Sequence, residues 1–398
     1  MSLAITSTVL NDYSHLSQKT RQASPREWKV IHTALNFFLE DGYHGPTNAG
    51  TLFSSISSKG HYEIIEVLGK GATGLVVLLE KNGQHFALKI ARKQEDNSYL
   101  LREAGNNLHL HHLAPENTLP LPRIYPNIRL DSHSSEHRVG LLYPYGGPTL
   151  FTHFVLEPQP PQATQKDFVV LVTKGLQFLQ TITEKGLTLG DLKTDNILWN
   201  KQKNNLSFID NCELEKVGDP LPSQYIGTRN FRSPTILTGK YSLSQATFAF
   251  GCTLYECLTR HFLFKTPINL TQNPELSTVL HLSQVFLLIP PSQEFLEQIP
   301  EDIRKKLFTD PTNPTTFKSE YATDSPNSKE KFQKRFDFCL KNAVCSESFE
   351  LTMYKNFFIQ RFTQFLLKCL DYNNPILPSK LLQDPFVKSI TEACKENL

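Results

Sequence analysis

With 398 residues and 39% hydrophobic content, the chain can bury a full core, as one large domain or two smaller ones. Lys and Arg total 41 against 39 for Asp and Glu, so a formal charge of +2 gives no general reason to expect a nucleic-acid or anionic-membrane partner. The seven scattered cysteines lack zinc or redox spacing and no stretch approaches about 18 uninterrupted apolar residues, so we expect reduced thiols, no membrane span and a cytoplasmic setting.

Residues 1–24 are polar and rich in Ser and Thr, and read as a loosely attached leader without a basic start or an apolar run. Over 25–60 an N-terminal helical extension is expected: Pro25 opens a run with apolar Trp28, Ile31, Leu35 and Phe38 on one face, ahead of a glycine. That helix is read as packing on the domain after it, with partner binding as the alternative. Residues 61–145 alternate short β-rich runs with turns, including the hairpin signal Lys81, Asn82, Gly83, and predict a small antiparallel sheet. From 146 to 398 the period lengthens, in DFVVLVTKGLQFLQTITEKG and from Ala246 to Thr259, and predicts a larger helical lobe. A polar, proline-interrupted stretch suggests a long surface insertion around 265–350. The predicted class is α+β with two lobes.

Gly69, Gly71 and Gly74 form a G-x-G-x-x-G pattern between two β-runs. A dinucleotide fold would need a helix directly after the glycines, whereas LVVLLE is a strand. The glycines therefore suit a hairpin lid whose backbone approaches phosphates without Cβ obstruction. Lys89 lies in the apolar strand FALKIA, where an ammonium needs an anionic partner. ATP phosphates could supply one and Glu103, on the following helix, another; Glu103 also reads as an ordinary solvated helix-face residue. The histidines His109, His111 and His112 lack nearby ligands at metal spacing and read as a surface helix end.

Downstream, GLTLGDLKTDNILWN and LSFIDNCEL complete an order of motifs that resembles the protein-kinase superfamily over roughly 61–388. The resemblance implies a bilobal protein-kinase fold and ATP with Mg²⁺ as cofactors. It implies that Asp191 accepts or orients the substrate hydroxyl proton, that Lys193 stands near the γ-phosphate, and that Asn196 and Asp210 hold the metal. With Lys89 and Glu103 these make the candidate catalytic set, and Gly69, Gly71, Gly74, Val76, Ala87, Leu142, Tyr143 and Tyr145 the nucleotide-binding set. By analogy Leu142 takes the gatekeeper place beside adenine, Tyr143, Pro144 and Tyr145 the hinge, and Val76 and Ala87 the apolar walls. QYIGTRNFRSPTILTGKYSLSQ resembles a kinase activation-segment end, closest in flavour to the CMGC group and its dual-specificity tyrosine-regulated kinases, with Tyr225 matching their loop tyrosine.

The sequence departs from that pattern at Leu189 and Gly190, where His and Arg are usual, at Asn211 and Cys212, usually Phe and Gly, and at Thr235 and Ala246, usually Glu and Asp. The missing Arg removes the usual receiver of a phosphorylated loop. Leu377 lies near the place of Thr235's usual Arg partner, so both ends of that ion pair are replaced together. The leading expectation is a divergent protein kinase acting on Ser or Thr of a protein substrate, with Tyr by autophosphorylation. Its alternatives are a pseudokinase serving as a nucleotide-binding or scaffolding module, and a small-molecule kinase. The divergence is reminiscent of effector kinases that bacteria deliver into host cells, which would place the chain in the host cytosol.

Overall fold

The computed structural model describes residues 63–71, 73–118, 122–129, 137–156, 164–223, 226–265, 274–310, 328–344 and 355–396. The leader and helix expected over 1–60, and Tyr225, lie outside the described residues. The chain divides into two units between Gly146 and Gly147.

The first unit is a five-stranded antiparallel sheet in the order β1-β2-β3-β5-β4, formed by β1 (Glu63–Lys70), β2 (Gly74–Lys81), β3 (Gln84–Ala91), β4 (Arg123–Arg129) and β5 (His137–Pro144). The β2–β3 turn is made by Asn82 and Gly83, both at positive φ (54° and 73°), as a two-residue hairpin of matching twist requires. Residues directly opposite across a ladder share a face. One face thus carries Val76 with Lys89, Leu78 with Ala87, Lys89 with Leu141 and Ala87 with Tyr143; the other carries Val77 with Leu88 and Leu88 with Leu142.

Helix α1 (Asn97–Leu113) buries Leu100, Glu103, Ala104, Asn107 and Leu110, a stripe at helical spacing. Leu100 and Ala104 join Ala91, Val139, Leu141 and Tyr143 in one apolar cluster, so the helix covers the sheet face that bears Lys89. The Asn97 side chain accepts from the Val139 N–H at 2.8 Å and pins the start of α1 to β5.

The second unit is mainly helical. Helix α2 (Gln165–Thr183) opens with a reciprocal cap in which Thr164 accepts from the Asp167 N–H and Asp167 from the Thr164 N–H. Three short strand pairings follow from β6 (Leu187–Leu189), β7 (Ile197–Asn200), β8 (Asn205–Phe208) and β9 (Leu214–Lys216): β6 with β9, β7 with β8, and the bridge of Thr149 to Leu198. Helix α3 (Leu243–Thr259) is buried from Ser244 to Thr259, as an apolar helix surrounded by others must be.

Two glycines set how closely its neighbours approach. A Cβ at Gly175 of α2 would overlap the Phe250 ring of α3, and a Cβ at Gly251 of α3 would press on Cys369 and Leu370. After α3 come α4 (Pro274–Leu288), α5 (Gln293–Gln298), α6 (Glu301–Leu307), α7 (Ser328–Val344), α8 (Lys355–Leu370), α9 (Pro378–Leu381) and α10 (Pro385–Glu396). Phe168 of α2, Phe358 and Phe362 of α8 and Phe386 of α10 form an aromatic cluster, with centroids 5.5 Å apart for Phe168 and Phe362. Each such ring contributes about 1.5–3 kcal/mol by burial.

The stretch around 265–350, expected as a surface insertion, contains a helix that belongs to the core. Phe332, Phe336 and Leu340 recur every four residues along α7, Phe336 stacks on Tyr255 of α3 at 5.4 Å, and Phe332 stacks on Phe264 at 6.1 Å. Among the described residues no helix is long and apolar enough to cross a membrane.

Candidate active site

In the first unit, Lys89 Nζ donates to Glu103 Oε2 at 2.6 Å, and both side chains are largely withdrawn from solvent. The other carboxylate oxygen, Oε1, accepts from the Tyr143 hydroxyl at 3.0 Å, and that hydroxyl accepts from Asn107 Nδ2 at 2.9 Å. Gly74 protects the path of Lys89: a Cβ there would lie 3.0 Å from its Cε and 3.3 Å from its Cγ. Gly69 has open space where a Cβ would stand. The Gly71 N–H turns inward to the Gly74 carbonyl at 2.8 Å, and the Gly71 carbonyl accepts from Arg92 at 3.1 Å.

The sheet register puts two of the expected nucleotide-binding residues on different faces. Leu142 shares its face with Leu88, opposite to Lys89; Tyr143 is on the Lys89 face with Val76 and Ala87. A one-residue shift along a strand moves a side chain to the other face. Tyr143 is therefore an interior residue of β5 and not a connector. The Tyr145 N–H is spent on the His85 carbonyl at 3.0 Å, while burial first and then the charge of Glu66 push its phenol pKa up.

In the second unit, the segment after β6 places Asp191 in a depression that Asn196, Phe208 and Asp210 also line. Thr228 donates its N–H to Asp191 Oδ1 at 2.6 Å, Lys193 Nζ lies 3.1 Å from Asp191 Oδ2, and the same ammonium donates to Thr228 Oγ1 at 2.8 Å. Burial is the largest influence on Asp191 and works to raise its pKa. The Lys193 charge, with hydrogen bonds from Thr228 and Lys193, outweighs it and leaves the carboxyl below its ordinary value. Burial pulls Lys193 down, but Asp191, Asp195 and Asp210 together hold its pKa above the usual lysine value.

Asn196 donates Nδ2 to the Asp191 carbonyl at 2.8 Å, which directs its amide oxygen elsewhere. Its own carbonyl accepts from the Ile209 N–H at 2.9 Å, beside Asp210. Asp210 has a left-handed backbone, φ 56° and ψ 45°, a strained conformation for a residue with a Cβ. Asn196 and Asp210 thus offer oxygen donors of the type a hard divalent cation takes.

A family description, Protein kinase domain, matches residues 62–375. The chain belongs to that family. It is 28% identical over 240 residues to the protein kinase C zeta type of Oryctolagus cuniculus, covering 58% of this chain and 38% of that protein. It is 25% identical over 274 residues to the mitogen-activated protein kinase HOG1 of Blumeria graminis, covering 65% and 70% respectively. For the human protein kinase C delta type the figures are 27% over 208 residues, 48% and 28%. The chain thus spans well under half the length of the two protein kinase C relatives.

The departures in this kinase domain have local explanations. A Cβ on Gly190 would lie 3.1 Å from the Glu213 Cβ and 3.4 Å from the Tyr241 ring, so the room for a longer side chain is taken. Tyr241 donates to Glu213 at 3.1 Å, and the Gly190 N–H donates to the Glu213 carbonyl at 2.8 Å. Leu189 is buried in β6 opposite Leu214. Asn211, fully buried, donates Nδ2 to the Phe208 carbonyl at 3.0 Å; the Cys212 thiol lies 3.9 Å from Asp210 Oδ1. Thr235 is buried and donates to Ser233 Oγ at 3.1 Å, whereas Leu377 is exposed, so neither position strands a charge. With Ala246 on α3, a side-chain hydrogen bond between this loop and the helix comes about three turns further on, where Glu256 accepts from Thr194 Oγ1 at 2.7 Å.

Three site residues escaped the sequence reading. Thr228 and Gly227 sit in the GTRNF run next to residues that were singled out. Gly227 has φ 72°, and a Cβ there would fall on the Gly190 carbonyl oxygen, so glycine is required on two counts. Arg232 is the third: it donates to the carbonyls of Ile226 at 2.8 Å and Gly227 at 2.7 Å and to Thr278 Oγ1 at 3.1 Å, fixing the segment that presents Thr228. The signal available was the pair of arginines in TRNFRSP.

Proposed function

We propose that the protein transfers the γ-phosphoryl group of ATP to a Ser or Thr hydroxyl of a protein substrate, with Mg²⁺ as the metal. The observation that carries this reading is the Asp191–Lys193–Thr228 triangle together with the depression that Asp191 shares with Asn196 and Asp210: a charged acceptor paired with a fixed cation, and two metal-type oxygen donors lining the same depression as the acceptor. Phosphoryl transfer asks mainly for positioning and charge stabilisation, and this set supplies both.

Each residue has a role under this reading. Asp191, ionised at neutral pH because its pKa is depressed, accepts a hydrogen bond from the substrate hydroxyl, aims its lone pair at phosphorus and takes the proton as the bond forms. Lys193 balances charge on the transferring group, and Thr228 keeps both side chains from swinging away. Asn196 and Asp210 would hold the cation, which would supply positive charge to offset that of the phosphates. Lys89, oriented by Glu103, would neutralise non-transferring phosphates. Val76, Ala87 and Tyr143 offer the apolar side of β2, β3 and β5 to the base.

The relatives named as protein kinase C and as mitogen-activated protein kinase HOG1 support a protein acceptor. Purified protein with ATP and Mg²⁺ is expected to gain mass in phosphate units, on itself or on a Ser/Thr peptide library. Asp191→Asn and Asp210→Ala remove the gain. ATP with Mg²⁺ raises the unfolding midpoint of the wild type through binding linkage, and Lys89→Ala weakens that rise. Asn211 and Cys212, beside the proposed metal ligand, favour a second reading, a nucleotide-binding module without turnover; a nucleotide-induced rise in midpoint with no phosphate transfer would establish it.

A further inference from the structure

The Lys89–Glu103 pair has a second anchor. Glu103 gives one oxygen to Lys89 and the other to the Tyr143 hydroxyl, 40 residues away on β5. Asn107, one helical turn beyond Glu103 and on the same buried face of α1, donates to that hydroxyl at 2.9 Å. Tyr143 thus lies between two side chains of α1, accepting from one and donating to the other, and its ring packs with Leu100 and Ala104 of the same helix.

An ion pair with a lysine constrains the separation of two charges and does little to fix the roll of the helix that carries one of them. A tyrosine hydroxyl at the end of a rigid ring fixes direction as well. Here it does so in a buried site, where a hydrogen bond to a carboxylate is strengthened by the low local dielectric. We propose that Tyr143, braced by Asn107, is a positioning residue: it locks the roll of α1, keeps the Glu103 carboxylate aimed at Lys89, and so presets the Lys89 ammonium for phosphate before nucleotide arrives. The proposal rests on the reading of Lys89 as a phosphate-binding residue. It makes α1 self-locked, with its active orientation set by β5 of the same unit.

Tyr143→Phe deletes only the hydroxyl and keeps the ring, so folding is expected to survive; Asn107→Leu removes the brace from the other side as an independent check. In steady-state kinetics Tyr143→Phe lowers kcat about tenfold, in keeping with the loss of one hydrogen bond to a charged group, and leaves the KM for the protein substrate unchanged. Placed on Glu103→Gln, the same change adds little, because the tyrosine acts through that carboxylate. Equal losses on the two backgrounds would overturn the proposal.

Hydrogen exchange supplies an arm that needs no activity. Amides of α1 from Glu103 to Leu110 exchange about tenfold faster in Tyr143→Phe, by the same weight of one hydrogen bond, and those of β2 and β3 do not. Unchanged exchange along α1 would sink the idea whether or not the protein turns over ATP. Absence of phosphate transfer by the wild type would count against the kinase reading and leave the lock to be judged on exchange.

Discussion

Acidification is expected to lower the stability of the fold through His281, whose ring is hydrogen-bonded to Arg232 in the segment that presents Thr228. This side chain of α4 is fully buried, and its Nε2 lies 2.7 Å from the Arg232 carbonyl, an atom that can only accept, so Nε2 carries the proton of a neutral ring. Burial, with the charges of Arg232 and Arg229, lowers its pKa from 6.5 to about 3, against a smaller upward pull from that hydrogen bond. The unfolded chain therefore takes up a proton that the folded chain refuses. The stability due to His281 is complete above pH 6.5 and is lost progressively as pH falls toward about 3. At about 1.4 kcal/mol per unit, going from pH 7 to pH 5 removes about 2 kcal/mol. Denaturant unfolding of the wild type and of His281→Gln at pH 7, 6 and 5 measures it. The glutamine can keep a donor toward Arg232 but cannot titrate, so its stability should fall less steeply by that amount. Parallel slopes for the two proteins, or a folded-state titration of His281 near its ordinary value, would refute the reasoning.

Other expectations concern the catalytic loop. Asp191→Asn should lower kcat by about 10²–10⁴-fold, the usual worth of a positioned base, with folding intact; the check is steady-state kinetics beside a thermal melt. Gly227→Ala meets the Gly190 carbonyl and an unfavourable φ together, so a loss of about 2 kcal/mol or more is expected in denaturant unfolding. Thr194→Val takes one hydrogen bond from the buried Glu256 carboxyl and should cost about 1–3 kcal/mol; phosphate transfer should fall with it, because that bond braces the catalytic loop to α3.

What could be read in the sequence was what is local. The Asn82–Gly83 turn, the strands around it and the run from Asp191 to Asn196 are contiguous, and residue type there dictates backbone or chemistry directly. Register is not local. Leu142 and Tyr143 are neighbours in the chain, but which of them faces Lys89 is decided by pairing with β3, and the sequence alone offers no count of that pairing. The brace on the catalytic loop was hidden for a similar reason: Thr194 and Glu256 are 62 residues apart, and nothing near either names the other. Helix α7 falls in the stretch expected as a surface insertion because its proline-rich and polar flanks dominate the composition, although Phe332, Phe336 and Leu340 repeat at helical spacing within it. Thr228 and Gly227 were masked by their own modesty, since small residues carry no chemical signature until the Asp191 carboxylate is set beside them.

The brace that Arg232 provides has a consequence for control. Its guanidinium spans the carbonyls of Ile226 and Gly227, and its own carbonyl is taken by His281. At Gly190, Glu213 and Tyr241 fill the space a side chain would take. Control of the Asp191–Thr228 geometry therefore runs through one arginine, and a change that loosens Arg232 is expected to reach the Asp191 carboxylate 41 residues earlier in the chain.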